Sequence, residues 1–153
     1  MTSPTLLQVG IVDVKCGKRV RVVKPANLYG CELEDDVFVG PFVEIQKNTK
    51  VGERTKVQSH SFICEFVTIG KDCFIGHGVM FANDMFKSGQ PDPNPDDWGR
   101  IIIGDSVTIG SNATILAVTI CDGAVIGAGS VVTKNITEKG VYAGNPARRI
   151  RPL

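Results

Sequence analysis

Lys47, Glu65 and Asn83 follow one another at equal intervals of three hexads. In a chain that returns to the same face every third hexad, a cation, a carboxylate and a carboxamide would stand in one vertical row. The row ends at Asn83, where the period breaks off into residues 84–100, so it would line the groove under that segment, which makes Glu65 and Asn83 site candidates; a solvent-exposed Glu beside an Asn cap is the equal alternative. A second row at this spacing holds Pro41, Ser59 and His77, and a third holds Asp35, Glu53 and Lys71. The third reads as an exposed ladder of alternating charge, worth little per pair. His60 follows Ser59, and Gly78 stands three hexads beyond it, leaving room over the ring for a ligand or a neighbouring subunit. His60 and His77 are the only histidines. Each suits a general base near neutral pH, with an ordinary pKa of about 6.5; each equally suits a polar turn without chemistry. Two histidines cannot form a three-His metal centre in one chain. The five cysteines Cys16, Cys31, Cys64, Cys73 and Cys121 contain no CxxC pair, so no thiolate zinc site is expected.

The element that must align these rows is a repeat. From Leu33, nine apolar residues recur every six positions: Leu33, Val39, Ile45, Val51, Val57, Ile63, Ile69, Ile75 and Phe81. Four residues after each comes a small or β-branched residue such as Val37, Thr49, Ser61 or Cys73, and the residue following the apolar position is often glycine. The pattern resumes at Ile103, Ile109 and Ile115, slips by one to Ile120, and continues at Ile126 and Val132. A period of six fits neither an amphipathic helix nor an alternating strand. It fits a short strand and a tight turn, with three units closing a triangular coil and coils stacking as parallel sheet at roughly 4.8 Å. The apolar and small columns point inward, and stacking supplies the core that no single unit has.

Residues 84–100 contain three prolines and no hexad, and read as a loop extruded from the coil. Long loops in compact domains are usually functional; a solvated insertion is the plainer alternative. The end, from Asn135 to Leu153, leaves the period and turns basic, as a cap or short C-terminal tail would. Arg19, Arg21 and Lys24 cluster before the regular repeat and are candidates for a diphosphate, or a solvated charge run. Phe38, Phe42, Phe62 and Phe66 fall in outward columns. They either form an apolar patch that needs covering or pack under the N-terminal segment.

With 153 residues and 42% hydrophobic content, residues 1–153 read as one folded domain. Seventeen basic against sixteen acidic residues leave a net charge of +1, which argues against nucleic acid or a membrane surface as partner. No apolar run approaches the roughly 18 residues of a membrane span, and the start of the chain lacks the layout of a signal peptide. A reducing cytoplasm is the expected location.

The hexad array resembles the left-handed β-helix acyltransferases, whose coenzyme A end resembles 126–136 (IGAGSVVTKNI) and 141–151 (VYAGNPARRIR). Within them, residues 58–86 (QSHSFICEFVTIGKDCFIGHGVMFANDMF) are similar to nucleotide-linked amino-sugar N-acetyltransferases, in particular the dTDP-3-amino-3,6-dideoxyhexose 3-N-acetyltransferases of surface-polysaccharide synthesis. The resemblance implies an all-β left-handed parallel β-helix with acetyl-CoA as co-substrate, no metal, and a homotrimer with active sites between subunits. It implies a catalytic set of Asn83 and Glu65 with His60 and His77, and substrate contacts at Lys47 and Asp84. It implies cofactor contacts at Gly110, Ala128 and Ser130 for the pantetheine arm, with Lys134 and Arg148 at the adenine and phosphate end. Two proton routes stand open: one of the histidines as base, or an unassisted amine that loses its proton to thiolate or water. A backbone N–H of the Gly76–Gly78 turn is a candidate oxyanion donor. The runner-up activity is O-acetylation of a sugar or serine hydroxyl, which needs a histidine; a non-catalytic assembly module is the third.

Overall fold

The computed structural model describes residues 3–5 and 9–153. The expected left-handed β-helix of hexapeptide repeats is the fold observed, a parallel solenoid of about seven turns. Short strands form three faces. The first face stacks Ile11–Val12, Asn27–Tyr29, Glu44–Ile45, Phe62–Ile63, Met80–Phe81, Thr114–Ile115 and Val131–Val132. The second stacks Lys15–Cys16, Glu32–Leu33, Lys50–Val51, Val67–Ile69, Ile101–Ile103 and Thr119–Ile120. The third runs from Arg21–Val22 through Phe38–Val39, Lys56–Val57, Phe74–Ile75, Thr108–Ile109 and Val125–Ile126 to Val141–Ala143 and Arg148–Arg151. The corner after the first face is called corner I, that after the second corner II, and that after the third corner III.

Both inward columns are buried. Leu33, Val39, Ile45, Val51, Val57, Ile63, Ile69, Ile75 and Phe81 fill the axis, and Val37, Val43, Thr49, Thr55, Ser61, Val67, Cys73 and Val79 turn inward beside them. The polar members bond inside the coil: Thr49, Thr55 and Ser61 donate their hydroxyls to the carbonyls of Cys64, Gly70 and Gly76 at 2.8–3.0 Å. Small polar residues thus cap main chain where the prism leaves no room for a larger side chain.

The repeat begins one coil and a third earlier than the period of six suggests. Ile11 pairs with Leu28, Cys16 with Leu33 and Val22 with Val39, each pair one place short of three hexads. Two units are shortened, Ile11 to Cys16 and Leu28 to Leu33, so a strict six-fold count loses the register there. Arg19, Arg21 and Lys24 therefore belong to the first coil rather than preceding it. Coils of three full hexads follow, as in the pairs Leu33 with Val51 and Ile45 with Ile63. After the loop the coil is one place short again, at Ile109 with Ile126.

The loop leaves after Met80–Phe81 and returns at Ile101–Ile103, with a short 3₁₀ turn at Pro95–Asp97. Thr68 still pairs with Ile102 as in an uninterrupted stack. At the far end Arg148–Arg151 runs antiparallel to Val141–Ala143 and caps the third face. Among the described residues no helix is long and apolar enough to cross a membrane. Of the four outward phenylalanines, only Phe42 is largely exposed, at 56%. Phe62 packs against the core, and Arg21 and Arg100 lie over Phe38 and Phe66.

Candidate functional site

Corner I carries the row Lys47, Glu65 and Asn83. The Lys47 ammonium stands 3.7 Å from Glu65 Oε1, and Asn83 Nδ2 donates to the Glu65 carbonyl at 2.9 Å. The row is aligned as the three-hexad spacing predicts, with Lys47 exposed and the other two members buried. Glu65 is 9% and Asn83 8% exposed, because the loop root and the neighbouring turn close over them. Gly99 N–H donates to the Asn83 carbonyl at 2.8 Å, and a Cβ on Gly99 would strike Ala117. Asn48, absent from the row read off the spacing, donates to Glu65 Oε2 at 3.5 Å; its place next to Lys47 in the same turn was the signal for it. The Glu65 carboxylate is thus buried with two long contacts among the described residues, a state that leaves capacity for an added donor.

A cavity of about 290 Å³ opens beside Asn83, walled by Asp84, Lys87, Asp97 and Ala117 among others. Asp84 spends both oxygens on the loop: they accept from the Phe86 and Asp92 N–H groups at 2.8 and 2.7 Å. Asp84 therefore shapes the cavity wall rather than offering a free carboxylate. Trp98 Nε1 donates to the Asp92 carbonyl at 2.9 Å and ties the loop's far limb to the same place. Behind Asn83, burial pushes the Cys64 thiol up to about 12, so it stays protonated and is no nucleophile at neutral pH.

Corner III carries both histidines. Both are exposed. His60 stacks on Phe42 with centroids 4.9 Å apart and planes 21° apart. The space expected over Gly78 is already filled, since a Cβ there would meet the Asn112 side-chain oxygen. The Gly76 and Gly78 N–H groups are spent on Ile109 and Ser59 carbonyls, which leaves the His77 N–H as the free donor of that turn among the described residues. The N–H groups of Ser59, His77, Ser111 and Ala128 have no protein acceptor among the described residues. They form an open line of donors along the corner. A Cβ at Gly40 or Gly76 would sit 2.7 or 2.8 Å from the Ser59 or Ser111 nitrogen, and one at Gly110 would press on that of Ala128. Glycine there keeps the amides uncovered. Ser59 and Ser111 are the donors that sequence reasoning overlooked; the glycine before or above each was the available signal.

Gly110 and Ala128 thus share corner III with the histidines. Ser130 is fully buried; its hydroxyl accepts from Gly144 N–H at 3.2 Å and its carbonyl from Thr114 N–H at 2.8 Å, so its role is in closing the last coil. Lys134 lies on corner I above the row, whereas Arg148 lies in the cap strand with its guanidinium on the Ala147 carbonyl at 2.9 Å. The structure does not bring those two cations together. Nor does one chain bring His60 to Glu65: the strand Phe62–Ile63 lies between them, and largely extended chain of that length spans roughly 15 Å.

Comparison with known proteins bears on these same coils. The family model described as the hexapeptide repeat of succinyl-transferase matches residues 66–80 and 100–134, on either side of the loop. The bifunctional protein GlmU of Baumannia cicadellinicola subsp. Homalodisca coagulata is 42% identical over 114 residues, covering 73% of this chain and 22% of the relative. GlmU of Thermotoga petrophila is 35% identical over 159 residues, covering 92% and 33%. The chain therefore spans between about a fifth and a third of the length of these curated relatives. A galactoside acetyltransferase solved in complex with coenzyme A superposes with a TM-score of 0.68 at 32% identity, covering 78% of this chain and 64% of that one.

Proposed function

From a chain built on the hexapeptide repeat of acyltransferases, we propose an acetyl-CoA-dependent N-acetyltransferase. Its acceptor is the amine of a nucleotide-linked 3-amino-3,6-dideoxyhexose, with dTDP as the nucleotide. The observation that carries this reading is the open line of N–H donors at Ser59, His77, Ser111 and Ala128. It suits a long ligand whose carbonyls recur along its length, as the amides of pantetheine and the terminal thioester do. Acetyl-CoA would lie along corner III and the sugar would enter at corner I.

The two corners belong to opposite ends of the first face, so a complete site needs corner III of one subunit beside corner I of another. A homotrimer provides that arrangement. Exposed Phe42, Phe74, Met80 and Ile102 supply apolar surface suited to such contacts.

Glu65 and Asn83 orient the acceptor. The carboxylate accepts from the amine, and Asn83, anchored through Nδ2, keeps its side-chain oxygen Oδ1 for a second N–H of the same amine. The neutral amine attacks the thioester carbon, a C–N bond forms, and negative charge moves to oxygen, where the His77 N–H is the available donor. Collapse breaks the C–S bond and expels coenzyme A as thiolate, which takes up the proton shed by the amine. Alignment is the main catalytic task and is worth several kcal/mol.

Exposed His77 beside the open amides favours one rival, O-acetylation of a sugar hydroxyl with His77 as base. Thiol release from acetyl-CoA across a panel of dTDP- and UDP-linked 3-amino and 4-amino sugars, with their hydroxyl counterparts, separates the two. The N-acetyl reading expects turnover with an amine acceptor only, and less than about tenfold loss of kcat in His60→Ala and His77→Ala, below the usual general-base contribution. Turnover of the hydroxyl acceptors, abolished by His77→Ala, would replace it.

A further inference from the structure

We propose that Arg100, stacked on Phe66, is an anion subsite that takes the phosphate ester of the acceptor; the inference rests on the acceptor reading above and names what holds its nucleotide end. The Arg100 guanidinium lies 4.9 Å over the Phe66 ring. Phe66 follows Glu65 directly in corner I, in the left-handed conformation with φ +63°, and its carbonyl accepts from Ile101 N–H at 3.2 Å. With Gly99 held on the Asn83 carbonyl, Arg100 is fixed on both sides at the rim of the corner.

Its charge is left over. Arg19, Arg54 and Arg149 are each paired with a carboxylate at 2.6–3.0 Å, and Arg100 is in no ion pair among the described residues. Yet the loop that precedes it carries Asp84, Asp92, Asp96 and Asp97. Three of these carboxylates serve the loop instead: Asp84 holds the Phe86 and Asp92 N–H groups, Asp92 the Asn94 N–H at 3.0 Å, and Asp97 the Asn94 amide at 2.8 Å. Arg100 is exposed, and its guanidinium, a planar fork of donors, sits over the ring with no carboxylate to occupy it among the described residues. That fork matches the geometry of phosphate.

The position selects the ligand. The sequence candidates for a diphosphate lie elsewhere, with Arg19 locked bidentate onto Asp36 at 2.6 Å and Arg21 on Phe38 of the third face. Gly110 and Ala128, where the thioester is placed, are at corner III. Arg100 is beside Glu65 and Asn83, so the phosphate it meets is the one esterified to the amino sugar, not a phosphate of coenzyme A.

Calorimetric titration of thymidine 5′-diphosphate into the wild-type chain and into Arg100→Ala and Arg100→Gln reads the subsite without turnover. Kd should rise about tenfold or more in both variants, as loss of a charged hydrogen bond implies, with Tm unchanged. Arg100→Lys, which keeps the charge and loses the fork, should recover only part. In turnover, KM for the nucleotide-linked amino sugar should rise by a similar factor, with kcat and KM for acetyl-CoA unmoved. Failure of the wild type to bind the diphosphate, equal affinity in wild type and Arg100→Ala, or a raised KM for acetyl-CoA instead would each overturn the subsite. If no amino sugar is acetylated while diphosphate binding still depends on Arg100, the acetylation reading falls and the subsite stands.

Discussion

Corners II and III are made from the same hexad, with glycine at the same turn position, and they finish their hydrogen bonds in opposite ways. At corner II the N–H groups of Lys18, Glu53, Lys71 and Asp105 are each capped by a carboxylate of a neighbouring coil. Asp35 accepts from Lys18 at 2.8 Å, Asp105 from Lys71 at 3.0 Å, and Asp122 from Asp105 at 2.8 Å. Glycine makes room for the cap: a Cβ on Gly17, Gly70 or Gly104 would collide with Asp35, Asp105 or Asp122 Oδ1. At corner III the equivalent N–H groups of Ser59, His77, Ser111 and Ala128 have no cap among the described residues, and glycine keeps them bare. One corner is largely finished within the fold, and the other is left open. The charges agree, since corner II pairs Arg19 with Asp36 and Arg54 with Glu53 and Asp72.

Exchanging the two solutions is the severest challenge to this contrast. Ser111→Asp or Ala128→Asp installs at corner III the residue that caps corner II, over the His77 or Ser111 N–H. Each should weaken acetyl-CoA binding by about a hundredfold or more, through lost donors and an added negative charge, while the fold gains about 1 kcal/mol. Equilibrium binding of acetyl-CoA and urea unfolding check both halves, and undiminished binding would mean that the open amides do not hold the thioester. At corner I, Asn83→Ala should cut kcat/KM for the amino sugar by about a hundredfold, with acetyl-CoA affinity retained; normal turnover would remove Asn83 from the site. The converse at corner II is smaller. Asp105→Ala should cost about 1 kcal/mol of stability and leave kcat/KM where it was.

The smallest effect is in pH. The hydrogen bond from Arg54 holds the Asp72 carboxyl below its ordinary 3.8, as Arg19 does for Asp36. A carboxyl lowered in the folded state adds stability that is complete above its unfolded value and fades as pH falls through the folded one. The Tm difference between wild type and Asp72→Asn should therefore be constant at neutral pH and shrink only below about pH 3.8. Because the pair is solvent-exposed, the difference should be small and should fall further in high salt.

The coil was readable because its core demands one apolar side chain at every sixth place, from Leu33 to Phe81, and that demand leaves a period in the residues themselves. Where a coil shortens by one, at Leu28 to Leu33, the demand is unchanged but the count is not, and the first coil was lost. The row Lys47, Glu65 and Asn83 was readable for the same reason, since stacking follows from the period. The burial of Glu65 and Asn83 was not, because the cover comes from a loop whose path no period describes. Asp84 illustrates the limit: its type suits a substrate contact, and only the loop's own turns reveal that both oxygens are spent. The free amides of corner III belong to the main chain and have no residue type at all; only the glycines that bare them mark the place.

The stack pairs Thr68 with Ile102 as though nothing lay between, while the chain makes its excursion and comes back through a single main-chain hydrogen bond from Gly99 to Asn83. Segment 84–98 is thus an exchangeable cassette. Doubling a loop's length costs only about 0.6 kcal/mol in closure entropy, so the wall beside Asn83 can be rewritten wholesale while the open amides of corner III stay untouched.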